Sequence, residues 1–129
     1  MNRTAAHLCP CGSNHAYAEC CGRWHAGAPA PDALSLMRSR YSAFVLCNER
    51  YLLATWHPGK RPDSVPFDRN VKWLGLRIVA ARITGDASAE VEFVARSRAS
   101  NAAAVRLHER SRFVLEGGRW FYVEGDLRE

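Results

Sequence analysis

Lysine is nearly missing from this chain of 129 residues: Lys60 and Lys72 are the only two, and the other sixteen of its eighteen basic side chains are Arg, scattered from Arg3 to Arg128. No five basic residues run together, so no concentrated phosphate-binding stripe is visible in the linear sequence. No apolar run approaches the roughly 20 residues that a helical bilayer span requires. The leading MNRTAAHL has no hydrophobic h-region and is not expected to act as a secretory signal, which makes the cytoplasm the expected compartment and a membrane role unexpected. Internal repeats are lacking, as are GxGxxG and GKS/T loops, and no nucleophile, base and orienter form an evident set. With 47% apolar and 24% charged residues the chain reads as a soluble globular protein of one ordinary domain plus a small appendage.

Cysteine is what the chain has in excess, and in one place. Four of its five cysteines lie in CPCGSNHAYAECCGRWH, residues 9–25, as Cys9, Cys11, Cys20 and Cys21. In the expected reducing compartment such a cluster points to metal more than to structural disulfides. Adjacent Cα atoms sit about 3.8 Å apart, short of the usual disulfide range, so a Cys20–Cys21 bridge is disfavoured. A redox pair such as Cys11 with Cys20 and an iron–sulfur cluster remain as alternatives, the latter with unfamiliar spacing. Two short-range pairs joined by a turn-forming loop are the usual way to give a zinc ion four tetrahedral sulfurs. The segment has only Leu8, Tyr17 and Trp24 as large apolar side chains, so a structural Zn2+ is expected to supply its folding energy. His25 and His7 are reserve ligands, and Cys47 is read as a buried small hydrophobe.

AGAPAP at 26–31 reads as a linker, dividing the chain into a zinc-binding unit at 1–28 and a second domain at 29–129. Asp32 is placed to cap a helix in which Leu34, Met37, Tyr41, Phe44 and Val45 recur at helical spacing, and Asn48 to cap a shorter one that ends near Trp56. Residues 57–70 carry three prolines and read as a long loop. Thereafter the period becomes two. Segments near 71–83, 89–98, 104–115 and 119–125 read as strands of an antiparallel meander, with Val91, Phe93 and Ala95 on one face and Glu90, Glu92, Arg96 and Arg98 on the other. A one-sided sheet needs a cover, and the helices are the available one, so the class is α+β.

CPCGSNHAYAECCG resembles the SEC-C zinc-binding motif, commonly CPCGSGKKYKKCCG: all four ligand positions, Gly12-Ser13 and Tyr17 match, whereas Asn14, His15 and Ala16 replace Gly-Lys-Lys. Beyond it, MRSRYSAFVLCNERYLLATWHP, VKWLGLRI, VEFVAR and HERSRFVLEGGRWFYVEG are similar to the uncharacterised YchJ-like (UPF0225) family. That resemblance implies a cone-shaped nuclear transport factor 2-like fold from about residue 30, and it brings no established activity. Cones of this kind enclose a cavity.

The apolar phase of the third strand places Glu109 and Ser111 on the cavity side, where a carboxylate can serve as acid or base; the plainer expectation is a bulge, or the open end of the cone, that returns Glu109 to solvent. Arg38, Arg40 and Tyr41 on the first helix and Trp56, His57 and Arg61 at the loop entrance are candidate ligand contacts, His57 also a candidate acid or base. The leading expectation is a non-enzymatic zinc-binding protein whose knuckle docks on a protein partner and whose cavity takes a peptide or small molecule. A small isomerase, dehydratase or hydrolase is the alternative, and RNA or ribosome binding through the arginines and the knuckle a third.

Overall fold

The computed structural model describes residues 7–128. Capping sets the helices. Asp32 accepts from Ser35 N at 2.7 Å at the start of helix α2 (Ala33–Val45), and Asn48 accepts from Tyr51 N at 3.1 Å ahead of α3 (Glu49–Ala54). A shorter helix, α1 (Cys21–His25), precedes them in the knuckle.

The sharp turn between α2 and α3 corrects the expectation for Cys47, which is exposed. It sits just past the helix end with a φ of 56°, while Asn48 N reaches Ala43 O at 2.8 Å and Cys47 N reaches Phe44 O at 3.3 Å. That hydrogen-bond pair is a Schellman closure, and it turns the Cys47 side chain outward.

Strands β1 (Val71–Gly85), β2 (Ser88–Ala99), β3 (Val105–Glu116) and β4 (Arg119–Leu127) pair in chain order, every pair antiparallel. Cross-strand register sets Phe93 opposite Glu109, Val91 opposite Ser111 and Ala89 opposite Phe113 on the face that the helices cover. Thr55 O and His57 N bond Tyr122 N and O, each at 2.8 Å, so the end of α3 is sewn to β4. The proline-rich loop folds back on the helices, burying Val65 beside Leu52 and Ala43 and donating Val65 N to Glu49 Oε2 at 2.8 Å.

The knuckle is not a separate arm. Cys9, Cys11 and Cys21 belong to one continuous core with Leu36, Met37, Tyr41, Phe93 and Phe113. Helix α2 is therefore covered on two sides, by the sheet along Met37 and Tyr41 and by the knuckle and α3 elsewhere, which is why Ser39, Arg40 and Ser42 are buried on a helix that periodicity alone reads as one-sided. The linker docks too, through Ala30.

Candidate metal centre and interior cavity

The first cysteine pair lies on a tight turn in which Gly12 N bonds Cys9 O at 3.2 Å and Cys9 N bonds His15 O at 2.9 Å. Gly12 and Asn14 both have positive φ, 82° and 67°, so Asn14 takes over the left-handed position that Gly fills in the common motif. A single 3₁₀ turn, Tyr17–Glu19, then carries the chain back so that Cys20 and Cys21 open α1 beside the first pair. Gly22 is required there: a Cβ at that position would lie 2.6 Å from Tyr17 O.

All four sulfurs lie within 4.8 Å of one another, and Cys11 Sγ to Cys20 Sγ is 3.7 Å. Sulfurs at the corners of a tetrahedron with bonds of about 2.3 Å are about 3.8 Å apart, so the donor set fits a closed tetrahedral site. None of the four is in a disulfide. The neighbouring Cys21 sulfur holds the Cys11 pKa down to about 4 against burial, while Cys11 and burial raise Cys21. Four sulfurs this close could hold a metal ion, and the surrounding hydroxyls favour charge on sulfur: Ser13 Oγ lies 3.2 Å from Cys20 Sγ and Ser42 Oγ 3.5 Å from Cys9 Sγ. Arg38 Nη1 donates to Cys11 O at 3.0 Å and brings a positive charge alongside.

Of the reserve ligands, His25 is otherwise engaged. His25 Nε2 lies 2.8 Å from Ser39 O, a carbonyl, so this nitrogen carries the proton and donates; Nδ1 then accepts from Tyr17 OH at 2.6 Å. Burial pushes the His25 pKa down and keeps the ring neutral. His7 is exposed, outside the sulfur cluster.

The second site is a cavity of about 200 Å³ between α2, the loop entrance and the covered face of the sheet. Arg40, Tyr41, Trp56, Glu109, Ser111 and Tyr122 line it. Arg40 is 3% exposed, and its Nη1 donates to Leu52 O at 2.9 Å and Thr55 Oγ1 at 2.7 Å. Its guanidinium lies 5.0 Å from the Trp56 ring and 4.5 Å from the Tyr122 ring, with no carboxylate within ion-pair distance among the described residues. Burial lowers its pKa to about 10, and the two π faces compensate part of the lost hydration.

Glu109 points inward, so the regular phase of β3 prevails at this position over the bulge considered above; the register irregularity with β4 falls later, at Arg112/Phe113. Its Oε2 accepts from Ser111 Oγ at 2.8 Å and from Tyr122 OH at 3.4 Å. Burial first and the Glu109 charge second raise the Tyr122 pKa to about 12, so the phenol stays protonated and donates. Gly125 makes room for this carboxylate: a Cβ there would lie 2.7 Å from Glu109 Cδ. Trp56 Nε1 is buried with no hydrogen-bond partner. A larger and more open cleft of about 470 Å³, between Ala26–Ala30 and Arg119, contains no such unpartnered buried donor among the described residues.

Two candidates lie outside the cavity. His57 Nε2 donates to Glu116 Oε2 at 3.0 Å, and its Nδ1 accepts from Gly59 N at 3.1 Å. Arg61 donates through Nε and Nη2 to Trp56 O at 3.0 and 2.8 Å, closing the end of α3. Sequence reading passed over Tyr122, Gly125, Gly22 and Ser42. The aromatic run of β4 and a lone glycine within it were the available signals for the first two; Gly22 and Ser42 follow only from how the knuckle seats.

The SEC-C motif matches residues 8–23, and a family described as YchJ, middle NTF2-like domain, matches residues 32–125. A UPF0225 protein of Bordetella pertussis is 60% identical over 124 residues, covering 93% of this chain and 92% of its own. One of Polaromonas sp. is 57% identical over 129 residues, covering 93% of each. The solution structure of a SEC-C motif containing protein from Rhodopseudomonas palustris superposes with a TM-score of 0.81 at 32% identity, covering 94% of this chain and 98% of that one. No helix among the described residues is long and apolar enough to cross a membrane.

Proposed function

The chain belongs to the YchJ-like UPF0225 family, and we propose that it is a zinc-stapled binding protein that takes a small molecule into the cavity beside Arg40. A single observation carries the reading: Trp56, whose indole N–H is buried and unpartnered, lines the same cavity as a buried guanidinium with no acidic partner among the described residues. A buried donor left unmade costs about 1–3 kcal/mol, so a ligand that accepts from it recovers that free energy on binding. Apolar rings on the other walls suit a compact ligand with a flat apolar body and at least one hydrogen-bond acceptor.

The zinc in this reading is structural, because a closed all-cysteine set leaves no open position for substrate. Its sulfurs face the core rather than the outside, so the knuckle serves the fold first, and docking of a protein on its outer side is secondary.

Native mass spectrometry of protein purified under reducing conditions tests both parts. One zinc per chain and a small-molecule adduct that is lost in the Trp56→Phe and Arg40→Met variants are expected. Protein that is metal-free yet folded would overturn the staple, and an empty cavity in every preparation would overturn the binding role.

The contact of Glu109 with Ser111 and Tyr122 inside the cavity favours a second reading, an acid–base enzyme of the isomerase, dehydratase or hydrolase type. Should turnover of any captured compound be found, Glu109→Gln is expected to abolish it; unchanged turnover would remove Glu109 from that role.

A further inference from the structure

On the sheet face turned away from the helices, charge is sorted by position. At the β1–β2 turn end, cross-strand rows alternate in sign. Arg82, Glu90, Arg112 and Glu124 form one such row, with ion pairs of 3.5 Å for Arg82–Glu90 and 3.1 Å for Arg112–Glu124. The neighbouring row sets Glu92 opposite Arg110 and Arg110 opposite Asp126. Toward the other end the acids stop. Arg77 pairs across to Val94, Arg96 stands directly opposite Arg106, and Lys72 directly opposite Arg98.

These five basic side chains are exposed, and none makes an ion pair among the described residues. Like charges directly opposite one another destabilise a sheet pair. The same face avoids that cost at its other end by alternating sign, so the all-basic end calls for a negative partner. Basic residues scattered over thirty-odd positions of sequence are thus gathered by register into one patch, about 17 Å along β1 and two strand spacings of about 4.8 Å across.

We infer that this patch binds the phosphodiester backbone of RNA. Four of its five charges are guanidinium forks, whose planar donors match phosphate oxygens. The one ring in the patch rows, His108 opposite Val94, is held by Glu92 Oε2 at 2.7 Å, and no Phe, Tyr or Trp side chain stands among them to stack a base, so the contact reads backbone and not sequence. A second copy of this chain seated patch on patch is disfavoured as the occupant, because that pairing would set like charge against like. The inference is independent of the cavity and of the metal.

Fluorescence anisotropy with a fluorescein-labelled 20-nucleotide RNA, on the zinc-loaded full chain, tests it. Affinity is expected to fall roughly 50- to 130-fold between 50 and 200 mM salt, as release of counterions from four or five phosphates of a single strand requires. Arg96→Glu alone is expected to weaken binding at least tenfold while leaving Tm unchanged or higher, because it sets opposite charges across the Arg106 pair. That combination separates a binding patch from a structural one. Arg50→Glu/Arg119→Glu, a larger charge change away from the patch, is expected to keep most of the affinity. No binding at 50 mM salt, equal loss in that control, or tighter binding of poly-glutamate than of RNA would each overturn the proposal.

Discussion

Cys9 Sγ lies 3.5 Å from Ser42 Oγ, a buried hydroxyl in the middle of α2. One corner of the sulfur cluster is therefore packed on the helix that supports the sheet, so with the proposed zinc in place the stability of the site and that of the domain become one quantity. A structural zinc site carries an apparent free energy of about 10–16 kcal/mol. That rivals the stability of a whole domain, about 5–15 kcal/mol. Removal of the metal by a strong chelator under reducing conditions is expected to unfold the chain in a single transition, followed by circular dichroism at helix and sheet wavelengths. A knuckle that melts while residues beyond 30 keep their Tm would show two independent units and contradict the shared core.

Much of the fold is legible in the sequence because the signals that set it are local. Asp32 and Asn48 cap where side-chain chemistry says they must, and the four strands start within a residue or so of where alternation begins. The sulfur cluster is legible because its ligand spacing is short-range. Burial of Ser39, Arg40 and Ser42 is not legible, since it depends on the knuckle folding back over α2, a contact between segments with no shared periodicity. The basic patch fails for the same reason. Arg77, Arg96 and Arg106 are far apart in the chain, and only strand register places them together.

Cys47 holds a left-handed conformation, φ 56°, that is costly for a residue with a Cβ. Its side chain is exposed, so packing does not compensate. Cys47→Gly is expected to raise stability by about 1 kcal/mol in urea titration. Cys47→Val is expected to lower it, and equal behaviour of the two variants would show that the backbone at this turn is relaxed.

Gly125 and Glu109 are coupled by space. A methyl at 125 would press on the carboxylate, so Gly125→Ala is expected to cost about 1–3 kcal/mol. In Glu109→Ala the obstacle is gone, and the double variant should be more stable than the two single effects predict by at least about 0.5 kcal/mol. Additivity within error would mean that the two side chains do not meet.

His25 gives a pH dependence of definite sign. Burial lowers its folded pKa below the ordinary imidazole value of about 6.5, so between the two values the unfolded chain binds a proton that the folded chain does not. The contribution of neutral His25 is thus complete above about pH 6.5 and is lost as pH falls through that window. Acid also protonates the cysteines, so the readout is a difference: His25→Asn with saturating zinc is expected to show a shallower decline than the parent chain. Parallel curves would mean that the ring titrates freely.

Trp56 offers the sharpest test of an unfilled hydrogen bond. Truncating a large buried aromatic to Ala ordinarily costs about 3–5 kcal/mol. Trp56→Phe keeps a ring against Arg40 and Tyr122 while deleting the orphan N–H, so the packing it loses is offset by relief of a donor worth about 1–3 kcal/mol. The expected net change is under about 1 kcal/mol, against about 3 kcal/mol or more for Trp56→Ala, both by denaturant unfolding of ligand-free, zinc-loaded protein. If Phe proves nearly as damaging as Ala, the indole nitrogen already has a partner such as an ordered water, and the cavity has no unspent donor to offer a ligand.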